Sequence, residues 1–386
     1  MSSKNIALTA ITVCFTFLVT LVLGEICIRL FTIPHGIPDP PPHSSFNPYM
    51  ENGYVVKMRP YGHFYIPGAQ YAQKFVNYTN EYSINSMGFR GENFTSKPLQ
   101  YKHRLAVIGD SIVEGHGVML DQIFTYHLQD KLTESGWEVV NLGVQGASPF
   151  YFAVNLERYL YLNPDAVLLL INENDLYDDE VREQSYFSLP ILENREILYS
   201  GGALRSWLVE SRLFSFLKIT LQEFSKSPLE KIIEQNAKNQ DMGKDGQKSS
   251  KSKSSFVVPP SKIDKRWEMS QQYLTYFLDT LRSRNIDLLV ATSCSVTLAF
   301  PDIQEYTTHC SNLVTRVEQW ADKYSVPYLS LVPSMQKALQ EHKINDVLIF
   351  NDYHPTSLAH RLFAAELYPF VSNRLVEKTN PQHVSE

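Results

Sequence analysis

Between residues 104 and 172, short apolar runs alternate with longer amphipathic ones. "RLAVIGD" opens the series as a strand that ends on glycine and aspartate. In "DQIFTYHLQDKLTESG" the apolar residues recur at helical spacing and a glycine closes the segment, which predicts a helix. "WEVVNLG" reads as a second strand, and "PFYFAVNLERYLYLN" as one helix with proline in its first turn. "DAVLLLINEN" is a third strand, apolar on both faces as a central parallel strand must be. The alternation then breaks and resumes with a long helix near residues 264–284 and a fourth strand, "IDLLVATS". A helix near 303–323, a fifth strand "VPYLSL" and a closing helix "SLAHRLFAAELYPFVSNRLV" complete it. Strands that alternate with helices predict an α/β fold on a parallel sheet. No internal repeat accompanies it.

The flanking segments read differently. Residues 5–24, "NIALTAITVCFTFLVTLVLG", carry no charge and are long enough to cross ~30 Å of hydrocarbon as a helix. Two readings meet there, an uncleaved transmembrane signal anchor and a cleaved signal peptide with Lys4 in its n-region. The run exceeds the usual apolar core of a signal peptide and no A-x-A site follows, which favours the anchor. Lys4 and the amino terminus then place the N-terminus inside and the bulk of the chain outside. Residues 25–46 include "IPHGIPDPPPH", a stiff proline-rich linker. Residues 47–100, rich in Tyr, Asn and Gly with short alternating runs, predict a small β-rich lead-in of antiparallel strands or hairpins. The α/β domain spans 101–378. Within it, "LRSWLVESRLFSFLKITLQEF" has helical spacing and is expected to cover part of the site or the sheet. The polar tract 225–255 has almost nothing to bury and reads as a disordered insertion.

Composition narrows the classes. A chain of 386 residues with 44% hydrophobic and 20% charged residues is a folded globular one. A net charge of −6 gives no electrostatic case for nucleic acid as a partner. The 22 Tyr and 21 Phe fit core packing, with a sugar-binding surface as the alternative. Cys14 lies in the apolar segment and Cys27 at its edge, which leaves Cys294 and Cys310 in the remainder. An exported compartment would permit a disulfide between those two; a pair of buried thiols is the other reading. No His/Cys/Asp/Glu spacing suggests a metal site, and no cofactor is expected.

The chemistry concentrates in "VIGDSIVEGHG", which starts at Val107. A phosphate-binding loop would need a lysine where His116 stands, and a dinucleotide fingerprint a third glycine where Leu120 stands. A nucleophile elbow would need glycine at Val113. What remains is Ser111 at the carboxyl end of a strand, a usual place for chemistry in open α/β sheets. Serine is a poor nucleophile without an adjacent base, so a partner must lie elsewhere in the chain. Otherwise Ser111 would simply cap the following helix.

Four segments in order resemble the SGNH (GDSL-type) serine hydrolases. They are "GDS" at 109–111, "NLGVQGAS" with Gly146, "NEND" with Asn174, and "NDYHPTSLAHR" with His354. The upstream "NSMGFRGE" is similar to the lead-in of membrane-anchored bacterial members. The resemblance runs from about Arg104 to the closing helix, apart from the insertion. It implies a flavodoxin-like three-layer α/β/α sandwich, the SGNH hydrolase fold, with Ser111 as nucleophile and His354 as base. It also implies an oxyanion hole formed by the backbone N–H groups of Ser111 and Gly146 and the Asn174 side-chain amide. Asp110 is expected as a structural acceptor for loop amides, and His116, His127 and His360 as packing or surface histidines.

Two positions depart from the family pattern. Asn172 stands where the third block usually opens with glycine, and is expected to reshape the pocket rim. The family's acid lies three residues before the histidine, which is Asn351 here, whereas Asp352 lies two before. Three arrangements stay open: Asp352 as the acid on a shifted loop, Asn351 as a neutral partner, or a Ser–His dyad. Asp352 is preferred, because an aspartate both orients the imidazole and stabilises the imidazolium.

The resulting expectation is a membrane-tethered serine esterase on the extracytoplasmic side, periplasmic or outer, acting on small acyl esters. Acylated saccharides, with O-acetyl groups on envelope polysaccharide among them, are the substrates the resemblance suggests. An O-acetyltransferase using the same Ser–His site, drawing on envelope polysaccharide machinery, is the alternative. A binding protein that has lost turnover is the third.

Overall fold

In the computed structural model, the described residues are 50–51, 55–58, 62–75, 78–98, 101–186, 260–299, 304–350 and 352–379, with Thr16, Leu229 and Ile232 as isolated positions. Ahead of the main sheet, β1 (Met50–Glu51), β2 (Val55–Met58) and β3 (Gly62–Tyr65) pair antiparallel. A hairpin of β4 (Gln70–Lys74) and β5 (Thr79–Ser83) follows.

The five expected core strands form one parallel sheet. They are β6 (His103–Ile108), β7 (Trp137–Asn141), β8 (Ala166–Asn172), β9 (Asp287–Ser293) and β10 (Tyr328–Ser330). Their order, β10-β9-β8-β6-β7, reverses direction at β6. A crevice therefore opens at the carboxyl end of that strand, where ligands bind in open α/β sheets.

Alternation along each strand divides two cores. Leu105, Val107, Leu168, Leu170 and Leu289 face the helices Phe124–Leu132, Val332–Glu341 and Ser357–Thr379. Ala106, Ile108, Val167, Leu169 and Val290 face the helices Leu156–Leu160, Pro260–Ser283 and Gln304–Lys323. The result is a three-layer α/β/α sandwich whose strand β8 is buried at every position. Tyr65, Ile84 and Phe89 of the lead-in join the second core, so the lead-in packs as part of the same body.

Several expectations are corrected. The helix expected over 149–163 is two, Pro149–Val154 and Leu156–Leu160, broken at Asn155, whose side-chain amide donates to the Tyr151 carbonyl at 3.0 Å. A helix at Asp175–Tyr186 was not anticipated. It buries carboxylates rather than an apolar stripe. Asp179 accepts from the Phe150 N–H at 2.7 Å and from Ser270 Oγ, and Glu183 accepts from Tyr273 Oη. At the start of the tract read as a disordered insertion, Leu229 and Ile232 are helical and pack half-buried against the cluster of Phe150, Val154 and Tyr273. Their i, i+3 spacing supplies the apolar face that the polar remainder hides.

The rest of that tract lies outside the described residues. So do the segment 204–224, the linker 25–46 and, apart from Thr16, the span 5–24. Among the described residues no helix is long and apolar enough to cross a membrane. Cys294 and Cys310 are joined by a disulfide, which decides between the two readings of that pair.

Candidate active site

Strand β6 delivers the nucleophile turn. After Ile108 the buried Asp110 carboxylate accepts from the Ile112 N–H at 2.9 Å and caps the single-turn helix Ser111–Glu114. Ser111 is therefore the first residue of that turn and not its cap. Burial pushes the Asp110 pKa up. Gly115 closes the turn at φ +83°, the left-handed conformation that a helix C-cap favours and that side chains disfavour.

His354 arrives from the other end of the chain, on the loop before the closing helix. That loop folds on itself. The Ile349 N–H donates to the His354 carbonyl at 2.8 Å, and the Tyr353 N–H to the Ile349 carbonyl at 2.9 Å. Tyr353 sits at φ +66°, a strained position for an aromatic residue. The turn brings His354 Nε2 to 2.8 Å from Ser111 Oγ, and His354 Nδ1 to 2.5 Å from Asp352 Oδ1. Burial pushes the Asp352 pKa up, but hydrogen bonds and charge from His116 and His354 outweigh it and hold the carboxyl well below its usual range. Asn351 lies outside the described residues.

The other two blocks meet this turn from the neighbouring strands. Gly146 has φ +62°, a left-handed conformation that side chains disfavour, and lies against the Arg182 guanidinium, which any Cβ there would have to displace. Among the described residues no group accepts from the backbone N–H of Ser111 or Gly146. The Asn174 amide donates to Asp178 Oδ2 at 2.7 Å and its carbonyl accepts from Asn172 Nδ2 at 2.6 Å. The Asn174 side chain thus stands between two buried carboxylates, and works against burial to lower the pKa of Asp110 as well as that of Asp178. Burial, only partly offset by Arg182 and Asn174, raises Asp178 to about 6.

Asn172 does not shape a rim. Its side chain is buried, donating also to Asp110 Oδ2 at 3.3 Å and accepting from Ser293 Oγ at 3.0 Å. It ties the third block to the first.

One participant escaped the sequence. His116, expected as a packing or surface histidine, places Nε2 at 3.3 Å from Asp352 Oδ2, with its ring centroid 4.2 Å from that of His354. The only signal was its position between two glycines just past the nucleophile turn. His360, by contrast, is buried and stacked on Phe124, and burial brings its pKa down to about 3.

No metal site was expected, yet His116, Asp352 and His354 bring one donor atom each within 4.8 Å. The 2.5 Å between Asp352 Oδ1 and His354 Nδ1 is a hydrogen-bond contact, shorter than the ~2.7–2.9 Å of a charge-assisted N–H···O bond. Two ligands of one tetrahedral ion with bonds of ~2.0–2.1 Å would stand ~3.3 Å apart. As placed, these atoms bind one another.

Comparison with known proteins gives one family match: residues 107–362, more than half of the chain, match the GDSL-like lipase/acylhydrolase family. Comparison with curated proteins gives no significant match. Among solved structures, the chain is similar to a catalytic mutant of Axe2, an acetylxylan esterase from Geobacillus stearothermophilus, at 12% identity and a TM-score of 0.42, covering 71% of this chain and 95% of that one. TesA is similar at 15% identity and a TM-score of 0.39, covering 70% and 98%. A lipolytic protein of the G-D-S-L family from Veillonella parvula is similar at 9% identity and a TM-score of 0.38, covering 69% and 97%.

Proposed function

This chain belongs to the GDSL-like lipase/acylhydrolase family and hydrolyses carboxylic esters, and we propose that it does so with Ser111 as nucleophile, His354 as base and Asp352 as the acid of a triad. One observation carries the reading. Ser111 and His354, 243 residues apart in sequence, lie within hydrogen-bond reach, and Asp352 holds the other imidazole nitrogen.

Ser111 Oγ attacks the ester carbonyl as His354 Nε2 takes its proton. The tetrahedral oxyanion meets the N–H groups of Ser111 and Gly146 and the Asn174 amide, where losing one donor costs about 10²–10³ in kcat. Collapse expels the alcohol, which leaves with the proton from His354. Water then repeats the cycle on the acyl-enzyme. Asp352, held ionised at neutral pH, stabilises each imidazolium.

The substrates of this reading are small acyl esters, O-acetylated saccharides among them, outside the cytoplasm, with residues 5–24 as the tether. The uncharged run supports the tether, and the Cys294–Cys310 disulfide supports an oxidising compartment. Hydrolysis of p-nitrophenyl acetate, butyrate and octanoate tests the chemistry. Ser111→Ala and His354→Ala should each remove nearly all turnover, because nucleophile and base act as one unit. Activity that survives Ser111→Ala in a clean preparation would overturn the assignment. Carbonate extraction with N-terminal sequencing tests the tether, and release with a new N-terminus near Glu25 would contradict it.

A further inference from the structure

We propose that His116 is a positioning residue of this site: it holds one oxygen of Asp352 so that the other stays on His354. The inference rests on the triad reading above.

Asp352 has two oxygens and two imidazole partners. Oδ1 lies 2.5 Å from His354 Nδ1, and Oδ2 lies 3.3 Å from His116 Nε2. Within its own loop the carboxylate is held only at Oδ1, where the His354 backbone N–H also donates at 3.4 Å; among the described residues the loop gives Oδ2 no donor. The Asp352 backbone N–H bonds only within the loop, to the Ile349 carbonyl at 3.1 Å, and the neighbouring Phe350 is 49% exposed. His116 is fixed from outside that loop. Its ring is buried, edge-on to Phe75 of the lead-in, and Gln145 Nε2 stands 2.9 Å from its Nδ1.

An amide N–H on Nδ1 leaves the proton on Nε2, so His116 donates to the carboxylate. Gln73 Nε2 stands 3.4 Å from that same nitrogen, and the Gln73 carbonyl oxygen is buried with no partner. Exchanging the two ends of the Gln73 amide would let it accept from the same N–H.

Gln145 also precedes Gly146. Its N–H donates to Tyr65 Oη at 3.2 Å and its carbonyl lies 2.8 Å from His63 Nε2. His116 thereby links the acid arm of the site to the oxyanion arm, with the lead-in packed behind both. The titratable and charged groups around it are Asp352 and His354 on the loop, Glu114 on its own turn and Arg90 beneath that turn. Tyr78 of the lead-in also lies close enough for Asp352 to raise its pKa.

Two donors share one carboxylate. Without His116 the carboxylate is free to swing off His354 Nδ1, so kcat falls while KM barely changes.

His116→Gln keeps an N–H at the reach of Nε2, whereas His116→Asn stops short of Asp352. The Asn variant should lose about 10-fold or more in kcat, well short of the ~10⁴ that follows loss of a triad acid's charge. Its KM should stay near wild type, and the Gln variant should stay within a few-fold of wild type in both kcat and KM. Equal behaviour of the two variants, or a wild-type kcat in His116→Asn, would overturn the role. Ser111→Ala measured alongside separates the two claims. Activity remaining there would sink the triad reading, whereas a dead Ser111→Ala beside a wild-type His116→Asn would sink only this one.

Discussion

The nucleophile turn and the histidine loop are built by opposite means. Asp110, Val113 and Glu114 are wholly buried, and the turn is capped by Asp110 and tied to the third block through Asn172. At the tip of the histidine loop, Phe350 is 49% exposed and the Asp352 and His354 side chains are each 27% exposed. There the conformation depends on hydrogen bonds and on Tyr353 at φ +66°. Ser111 is placed by its buried surroundings, and His354 and Asp352 by hydrogen bonds. Damage to the buried supports of the first region should therefore appear as lost stability, and damage to the second as lost chemistry.

The largest expected effect is in the loop. Asp352→Asn should lower the kcat of the folded protein by about 10²–10⁴, since it removes the charge that stabilises the imidazolium. Asn351→Ala should cost at most a few-fold in the same assay. If the two results exchanged places, the acid would be at 351 and the loop's hydrogen-bonded path would not be the working one.

A smaller effect is expected on the buried side. Glu114 accepts from Tyr65 Oη at 3.0 Å and Tyr71 Oη at 3.3 Å beneath the nucleophile turn. Glu114→Ala leaves the buried Tyr65 hydroxyl and the half-buried Tyr71 hydroxyl without that acceptor, which should cost about 1–3 kcal/mol in urea denaturation. The folded fraction should keep its kcat within a few-fold. A larger loss of kcat than in Asp352→Asn would collapse the contrast.

The smallest effect is one of pH. Burial raises Asp178 to about 6 and Asp179 to about 7, against 3.8 for a free aspartate. The folded protein thus keeps protons that the unfolded chain releases, so these two groups weaken stability as pH rises from about 4 to about 7. The buried His360 and His309, whose pKa values are lowered by burial, oppose part of this by adding stability as pH rises towards 6.5. Asp352 also acts oppositely, at lower pH. Its depressed pKa adds stability that is complete above about pH 4 and lost as the pH falls further. Urea denaturation should give a higher free energy at pH 5 than at pH 8, by at least about 1 kcal/mol. A rise in stability between those values would contradict the assignment of the buried acids.

Much of this was legible in the chain. The five strands carry apolar runs that mark them in the sequence, and the resemblance of four segments to the SGNH hydrolases points to Ser111, Gly146, Asn174 and His354. The acid was not decided, because a loop's path is not encoded in the number of residues it contains. The left-handed step at Tyr353 is what lets Asp352 face the imidazole from two positions away. The helix Asp175–Tyr186 was missed because it buries hydrogen-bonded carboxylates, which hydrophobic periodicity cannot register. His116 was missed for a related reason: a lone histidine has no period, and its partners, Asp352 and Gln145, are distant in sequence.

The claim that Ser111 attacks the ester is tested most directly by covalent labelling. The protein would be treated with a fluorophosphonate, weighed intact, and the modified peptide mapped. The account predicts one adduct per chain, on Ser111, absent in Ser111→Ala and formed far more slowly in His354→Ala. An adduct on another residue, or none from a preparation that still hydrolyses esters, would contradict it.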